Sequence, residues 1–367
     1  MNVVININSL QENGHPDKEY FIKCVFLPVI IAHPTDHFFV ISEHKNESLT
    51  AFKNTTLLQS KKHYKNLSEA LWYNYRLPLL LRKVKADVFV NMAAICSLKT
   101  AIPQCLLLQN SSVFSKLSPY LKKTLVQLNK ASAIVAGSQS LKNGLCGEYK
   151  ISEKKVQVIY AAITAKFSPL LQPEKENSKE KYAEGKEYFL FTGELTVDNN
   201  LVNLLKAFSF FKKRQKSNML LLIAATNFVA GSIFEKSLKT YKYRNDVKLI
   251  SNPGEEELAV ITAAAYAMVY PTLGSASYIP LLQAMQSGVP IVTSDLLLMY
   301  EICNDAALFT NPAVFEHIAD KMMLLFKDEQ LRNELIEKGI QQAAALQSLP
   351  PNEVWWNCIE KCVLQKD

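Results

Sequence analysis

The chain has 367 residues, of which 49% are hydrophobic and 20% charged, and its formal net charge is +7. That length and apolar content suit two domains with a core each and exclude a globally disordered chain. The charge is uneven: residues 1–168 hold 21 Lys and Arg against 10 Asp and Glu, and residues 169–367 hold 20 against 24.

A positive excess on the first part points to an anionic partner, either a membrane surface or a phosphorylated substrate. The seven cysteines are scattered and none has C-x-x-C spacing. They read as reduced thiols of a cytoplasmic protein, not a disulfide framework or zinc site. The opening MNVVININSL lacks a basic region followed by a long apolar stretch, so no signal peptide is expected. No run reaches the roughly 18 apolar residues of a spanning helix.

In chain order, residues 3–7 (VVINI), 38–42 (FFVIS), 87–91 (DVFVN), 105–108 (CLLL) and 133–136 (AIVA) are short apolar runs that predict buried strands. Residues 67–84 and 119–130 between them are predicted helices, and 154–160 (KKVQVIY) is the last strand of this half. Residues 169–187 are polar, charged and Pro-bearing, with no apolar period, and predict an interdomain linker. A second alternating series follows. Strands are expected at 188–192, 219–224, 247–250, 267–270 and 290–293, with helices at 201–214, 255–265, 279–287 and 314–326. Strands alternating with helices imply parallel, doubly wound sheets. The aromatic-rich segment 353–364 (EVWWNCIEKCVL) is predicted to be a terminal helix anchored on the first domain by Trp355 and Trp356.

Residues 270–295, YPTLGSASYIPLLQAMQSGVPIVTSD, carry the most specific pattern. They resemble the hallmark of family 4 glycosyltransferases, retaining Tyr270, Pro271, Pro280, Leu282, Ala284, Met285, Gly288, Pro290, Val292 and Ser294. Residues 189–195 (FLFTGEL) and 301–312 (EICNDAALFTNP) match neighbouring parts of the same pattern. Residues 72–83, 86–90, 136–140 and 156–169 resemble its acceptor domain. The resemblance implies a GT-B fold: two Rossmann-like doubly wound α/β domains facing across a cleft. Residues 1–168 plus the terminal helix 350–367 would form the acceptor-type domain, 169–187 the linker, and 188–349 the nucleotide-sugar domain.

The same resemblance places the donor at Gly193, Glu194, Asp198, Asn199, Ser275, Ala276, Ser277, Tyr278, Ile279 and Gln283. Donor and acceptor features of the family pattern are replaced together. The two carboxylates spaced E-x7-E, for the transferred sugar and the ribose, are Ser275 and Gln283. The glycine-bearing loop between them reads Ala276-Ser277-Tyr278-Ile279, where Tyr278 adds bulk. The Arg and Lys that neutralise the diphosphate are Asp198 and Asn199, which inverts the electrostatics that a leaving diphosphate requires. The acceptor-side His-Asp pair is Gln109-Asn110, and neither side chain can act as a general acid or base. The N-terminal glycine-rich loop is also reduced, to Gly14.

The implied reaction is metal-independent, retaining hexosyl transfer from a nucleotide sugar to an envelope glycan or lipid-linked acceptor, weakened or lost in this chain. The alternative is a non-catalytic protein of the same fold that binds a glycan, a glycolipid or a partner transferase. No cofactor is expected beyond the nucleotide sugar as donor substrate, and no nucleic acid, since no recognised module accompanies the charge.

Other motifs read as structural. His33 and His37 belong to a turn before a strand, and Cys358 and Cys362 share a helix face with no further ligand evident. Glu255-Glu256-Glu257 is the acidic first turn of a helix. Ser111 and Ser112 lack triad partners, and Gly193 belongs to no G-x-G-x-x-G run. The basic stretch 61–85 interleaves Lys61, Lys62, Lys65, Arg76, Arg82, Lys83 and Lys85 with Trp72, Tyr73 and Tyr75. It reads either as a solvated helix face or as a face for anionic lipid or a lipid-diphosphate acceptor, built on Trp72, Arg76, Arg82, Lys83 and Lys85. The latter reading makes the protein peripheral at the inner face of the membrane.

Overall fold

The computed structural model describes residues 1–7, 22–43, 49, 51–59, 70–92, 95–108, 121–226, 228, 233–274, 277–348 and 350–364. The chain forms two compact units. The first is Met1–Ala162 with Leu349–Asp367, and the second is Ile163–Ser348.

The first unit contains a seven-stranded parallel sheet. Its strands are β1 (Asn2–Asn6), β2 (His37–Ser42), β3 (Thr55–Gln59), β4 (Val88–Asn91), β5 (Gln104–Leu108), β6 (Ala133–Ala136) and β7 (Val156–Val158), ordered 3-2-1-4-5-6-7. The register pairs Val3 with Phe38 on one side of β1 and with Val88 on the other. Strands β4, β5 and β6 are buried at every position, as parallel strands covered on both faces must be. The edge strand β3 (TTLLQ) has no long apolar run, since two of its five residues are threonines, and its sequence does not announce it.

The terminal helix Pro351–Leu364 packs on this sheet. Trp355, fully buried, meets Phe26 edge to face at 4.6 Å, and Trp356 stacks on His33 at 3.7 Å. His37 instead bonds Thr56 at 2.8 Å, so the two histidines serve separate structural contacts.

The second unit contains a six-stranded parallel sheet of β8 (Tyr188–Glu194), β9 (Leu220–Thr226), β10 (Val247–Ser251), β11 (Ala267–Tyr270), β12 (Ile291–Ser294) and β13 (Ala307–Thr310), ordered 10-9-8-11-12-13. Both sheets thus place their first strand centrally and reverse direction beside it, the doubly wound arrangement.

The expected linker is corrected by the structure. Residues Gln172–Ala183 form a helix of the second unit. Leu171 N–H donates to Glu174 at its start, and Glu184 in the left-handed conformation ends it. Its buried side chains are Ser178, Lys179 and Ala183, none a large hydrophobe, which is why no apolar period showed. Lys179 offsets its burial by pairing with Glu187 at 2.6 Å and Glu176 at 3.0 Å. The passage between units lies earlier, at Ala162–Ile163. Residues 163–167 are strapped to the second unit: Ile163 N–H donates to Gln347, and Gln286 donates to the carbonyls of Thr164 and Phe167. The acidic turn Glu255–Glu257 opens the helix Glu255–Ala263 and accepts from Thr164, Lys166 and Tyr182.

Candidate functional site

In an open parallel sheet, ligands bind outside the carboxyl ends of the strands where the strand order reverses. In the second unit that point lies between β8 and β11. Strand β8 ends in Thr192-Gly193-Glu194, with Gly193 at φ +137°, a conformation closed to ordinary side chains. The chain then makes a short turn, Val197–Asn199, before the helix Leu201–Gln215.

That turn is laced to the loop after β11. Leu273 N–H donates to the Asp198 carbonyl at 2.7 Å. Asn200, buried and left-handed at φ +56°, donates its amide to the carbonyls of Pro271 (2.9 Å) and Pro312 (2.7 Å). Asn199, at the position the family gives to lysine, is also buried, and it donates to the Glu194 carbonyl at 2.7 Å. Its side chain therefore braces the turn, while Asp198 is exposed.

The other half of the site is the loop from β11 into the helix Ile279–Gln286. Tyr270 stacks on Phe191, and its hydroxyl donates to the Ser277 carbonyl at 2.9 Å. A helix N-terminus binds anions through free N–H groups. Here Ile279 N–H is taken by the Ser277 hydroxyl at 3.1 Å, Pro280 has no N–H, and Leu281 N–H goes to the Tyr278 carbonyl at 3.0 Å. Tyr278 and Ile279 are buried, and Gln283, for which the family pattern implies a ribose contact, is 2% exposed. Ser275 and Ala276 lie outside the described residues, as do Gln109, Asn110, Gly14, Ser111 and Ser112.

Two properties of this sheet end were legible only in part. The six connections that leave the strands, residues 195–200, 227–232, 252–254, 271–278, 295–296 and 311–314, contain no Lys or Arg, and carry Asp198 and Asp295. The strand ends instead carry hydroxyls. Thr192, Thr226, Thr272 and Thr310 each hold a buried Oγ1 with no hydrogen-bond partner among the described residues. Side chains of that kind are short neutral donors and acceptors.

At the corresponding reversal in the first unit, between β1 and β4, the buried Asn6, Asn91 and Tyr73 form a cluster. Asn6 donates to Asn91 and to the Tyr73 hydroxyl, and Asn91 donates to the same hydroxyl, all at 3.1 Å. No sequence motif announced this cluster; three residues of two strands and a helix meet only through the topology.

The proposed basic face is described from residue 70 onward. The π-helical segment Trp72–Arg76 leads into the helix Leu77–Lys83. Trp72 is half-buried against Tyr73, whereas Arg76, Arg82, Lys83 and Lys85 are exposed. Three large apolar side chains share the surface: Leu71, Tyr75 and Leu79 are 53%, 62% and 65% exposed. Lys61, Lys62 and Lys65 lie outside the described residues.

A third cluster is one that sequence reading passed over. Cys105 on β5 meets Cys358 and Cys362 on the terminal helix, with all three buried sulfur atoms within 4.8 Å of one another. Hydrogen bonding with Cys105, and then with Cys362, lowers the Cys358 thiol below its ordinary range, and the bond with Cys358 pushes Cys105 well up. Cys303, which has no such partners, is pushed up to about 12 by burial.

Comparison with known proteins agrees with the fold and the C-terminal pattern. Residues 173–342 match the family described as Glycosyl transferases group 1. The O-antigen chain mannosyltransferase RfbU of Salmonella typhimurium is 23% identical over 259 residues, 67% of this chain and 68% of that one. O-antigen chain mannosyltransferase B of Escherichia coli is 21% identical over 246 residues, 66% of this chain and 63% of that protein's length, under two thirds of it. Among solved structures, a glycosyltransferase from Rickettsia africae superposes with a TM-score of 0.79 at 14% identity, covering 100% of this chain and 99% of that one. WaaG, a glycosyltransferase involved in lipopolysaccharide biosynthesis, gives 0.74 at 15% identity, over 96% and 98%. Anabaena HepE in complex with UDP and glucose gives 0.75 at 12% identity, over 98% and 99%. The fold is GT-B, and the chain resembles bacterial envelope glycosyltransferases.

Proposed function

We propose that this chain acts in envelope-glycan assembly as a GT-B protein whose hexosyl transfer from a nucleotide sugar is weakened or lost, leaving recognition of a glycan or lipid-linked sugar as its principal activity. The observation that carries this reading is electrostatic. A diphosphate needs cations or free N–H groups where its charge sits. The connections at the sheet end supply no cation, and the helix start at Ile279 has its N–H groups occupied or missing.

Titration calorimetry with UDP, GDP and their hexose conjugates tests this. No heat of binding is expected at micromolar ligand. Micromolar binding of either diphosphate would overturn the reading and make an active retaining transferase the better one.

A second aspect rests on the first unit. Leu71, Tyr75 and Leu79 stand exposed beside Arg76, Arg82 and Lys83, the combination with which a surface helix settles on anionic lipid. No helix among the described residues is long and apolar enough to cross a membrane. Peripheral attachment at the inner face would bring the protein to a lipid-linked acceptor.

A further inference from the structure

Three cysteines that are distant in sequence converge in the first unit. Cys358 and Cys362 are four apart on the helix Pro351–Leu364 and so face the same way, onto Cys105 in the middle of the sheet. Their sulfur atoms lie within 4.8 Å of one another, and all three residues are buried. Tetrahedral zinc–thiolate bonds of about 2.3 Å set sulfur atoms about 3.8 Å apart, so the trio needs only small side-chain rotations to close on an ion.

We propose that Cys105, Cys358 and Cys362 form a three-thiolate site for a thiophilic divalent cation, zinc by its chemistry, that pins the terminal helix to the sheet. Thiolate sulfur selects soft and borderline ions over magnesium or calcium. Binding forms three metal–sulfur bonds and releases to solvent whatever protons the thiols still carry, with no change of oxidation state.

A route and a counter-charge are both present. A cavity of about 300 Å³ runs along the helix, with Cys358 and Cys362 in its wall. It reaches the two helix cysteines, while Cys105 lies behind them, fully buried. Three thiolates and one divalent ion carry a single net negative charge, and Lys154, Lys155 and Lys361 line the same cavity against one carboxylate, Glu353. Lys155 is held there by bonds to the carbonyls of Asn129 and Ala131. The site would act on the helix that carries Trp355 and Trp356, so its consequence is mechanical: it fixes the return of the chain to the first unit.

Cobalt(II) titration of the full chain, stripped of metal and kept reduced, reads this directly. About one equivalent should bind, with a thiolate-to-cobalt charge-transfer band and the intense visible bands of a tetrahedral ion, and zinc should displace it. Cys358→Ala and Cys362→Ala should each abolish the bands while far-ultraviolet circular dichroism stays unchanged. Cys105 is inside the sheet, so Cys105→Ala serves only if it folds, and the helix variants carry the test without it. Cys146→Ala, outside the cluster, should leave the titration intact. Zinc should also raise the melting midpoint of the wild type and not of Cys358→Ala. Absence of the bands in the wild type, their survival in Cys358→Ala/Cys362→Ala, or binding of copper(I) alone would overturn the assignment. So would mass spectrometry showing two of these sulfurs joined in the protein as isolated.

Discussion

The side-chain amide of Asn200 donates to the carbonyl of Pro271 at 2.9 Å, and through this bond the loop after β8 is fastened to the loop after β11. The same amide reaches Pro312 at 2.7 Å, so one residue spans the ends of three strands. Its backbone is left-handed, a conformation that costs most residues about 1 kcal/mol and asparagine less. Asn200→Ala removes two buried hydrogen bonds and adds backbone strain, and should destabilise the second unit by about 3 kcal/mol. Asn200→Gly loses the bonds but keeps the backbone, and should recover about 1 kcal/mol of that loss. Denaturant melts of both variants check the order. Equal stabilities would mean that backbone conformation plays no part.

The charge at the sheet end can be altered without disturbing its packing. Asp198 is exposed, whereas Asn199 is buried and bonded to the Glu194 carbonyl. Asp198→Arg should therefore fold normally, and Asn199→Lys should not. If opposed charge is what spoils the diphosphate site, Asp198→Arg should raise UDP or GDP affinity by about 1–2 kcal/mol, or roughly five- to thirtyfold. Calorimetry on the variant, at low salt, is the measurement. An unchanged response would place the defect in the occupied N–H groups at Ile279 instead.

The fold was legible because its strands are short β-branched and apolar runs. Residues 3–7, 105–108 and 188–192 could hardly be anything but buried strands, and the hallmark around Tyr270–Pro271 and Met285–Gly288 set their order in the second half. Several features escaped, including the strand Ala307–Thr310 and the helix Glu329–Leu346, and three of them for identifiable reasons. Gln172–Ala183 hides its helix behind a buried Ser178 and an ion-paired Lys179. Thr55–Gln59 is an edge strand with two threonines. Cys105 and Cys358 are separated by most of the chain, and only the return of the terminal helix brings them together. At the site, sequence marked where Asp198, Asn199 and Gln283 stand in the pattern. It could not show that Asn199 turns inward or that Ser277 occupies the N–H of Ile279, because both depend on loop geometry.

The terminal helix should contribute strongly to the first unit. Trp355 is fully buried against Phe26 in its core. Trp355→Ala should cost about 3–5 kcal/mol. Trp356, 6% exposed and stacked on His33, should cost less when shortened. Urea melts followed by tryptophan fluorescence and circular dichroism separate the two. A loss under 1 kcal/mol for Trp355→Ala would show that the helix merely rests on the unit.

Acid should weaken one clamp in the second unit at a defined pH. Hydrogen bonds from Lys186, at 2.8 Å, and from Lys248 hold the Glu184 carboxyl at about 2, below its ordinary 4.5. A carboxyl with a depressed folded-state value stabilises the fold above its unfolded value, and that contribution is lost as pH falls from about 4.5 through about 2. Side-chain carbon NMR should give a Glu184 midpoint well below the other glutamates. The stability difference between wild type and Glu184→Gln should close over the same window. A midpoint at the ordinary value would mean that solvent screens the clamp completely.

The first unit should bind anionic vesicles through the surface after residue 70. Arg76, Arg82, Lys83 and Lys85 are exposed, and each basic residue near such a surface contributes about 1 kcal/mol. Changing all four to Gln should therefore weaken binding by about 4 kcal/mol, close to a thousandfold, at low salt. Because the attraction is Coulombic, the wild-type affinity should also fall as salt rises, over a Debye length of about 8 Å at physiological ionic strength. Leu71, Tyr75 and Leu79 supply a second, salt-independent part. Changing Tyr75 and Leu79 to Ser should weaken binding at high salt as much as at low. Co-sedimentation with vesicles of neutral lipid, and of neutral lipid with added phosphatidylserine, reads both parts. Equal pelleting with the two compositions, or an unaffected quadruple variant, would reduce this basic surface to a solvated face of the fold.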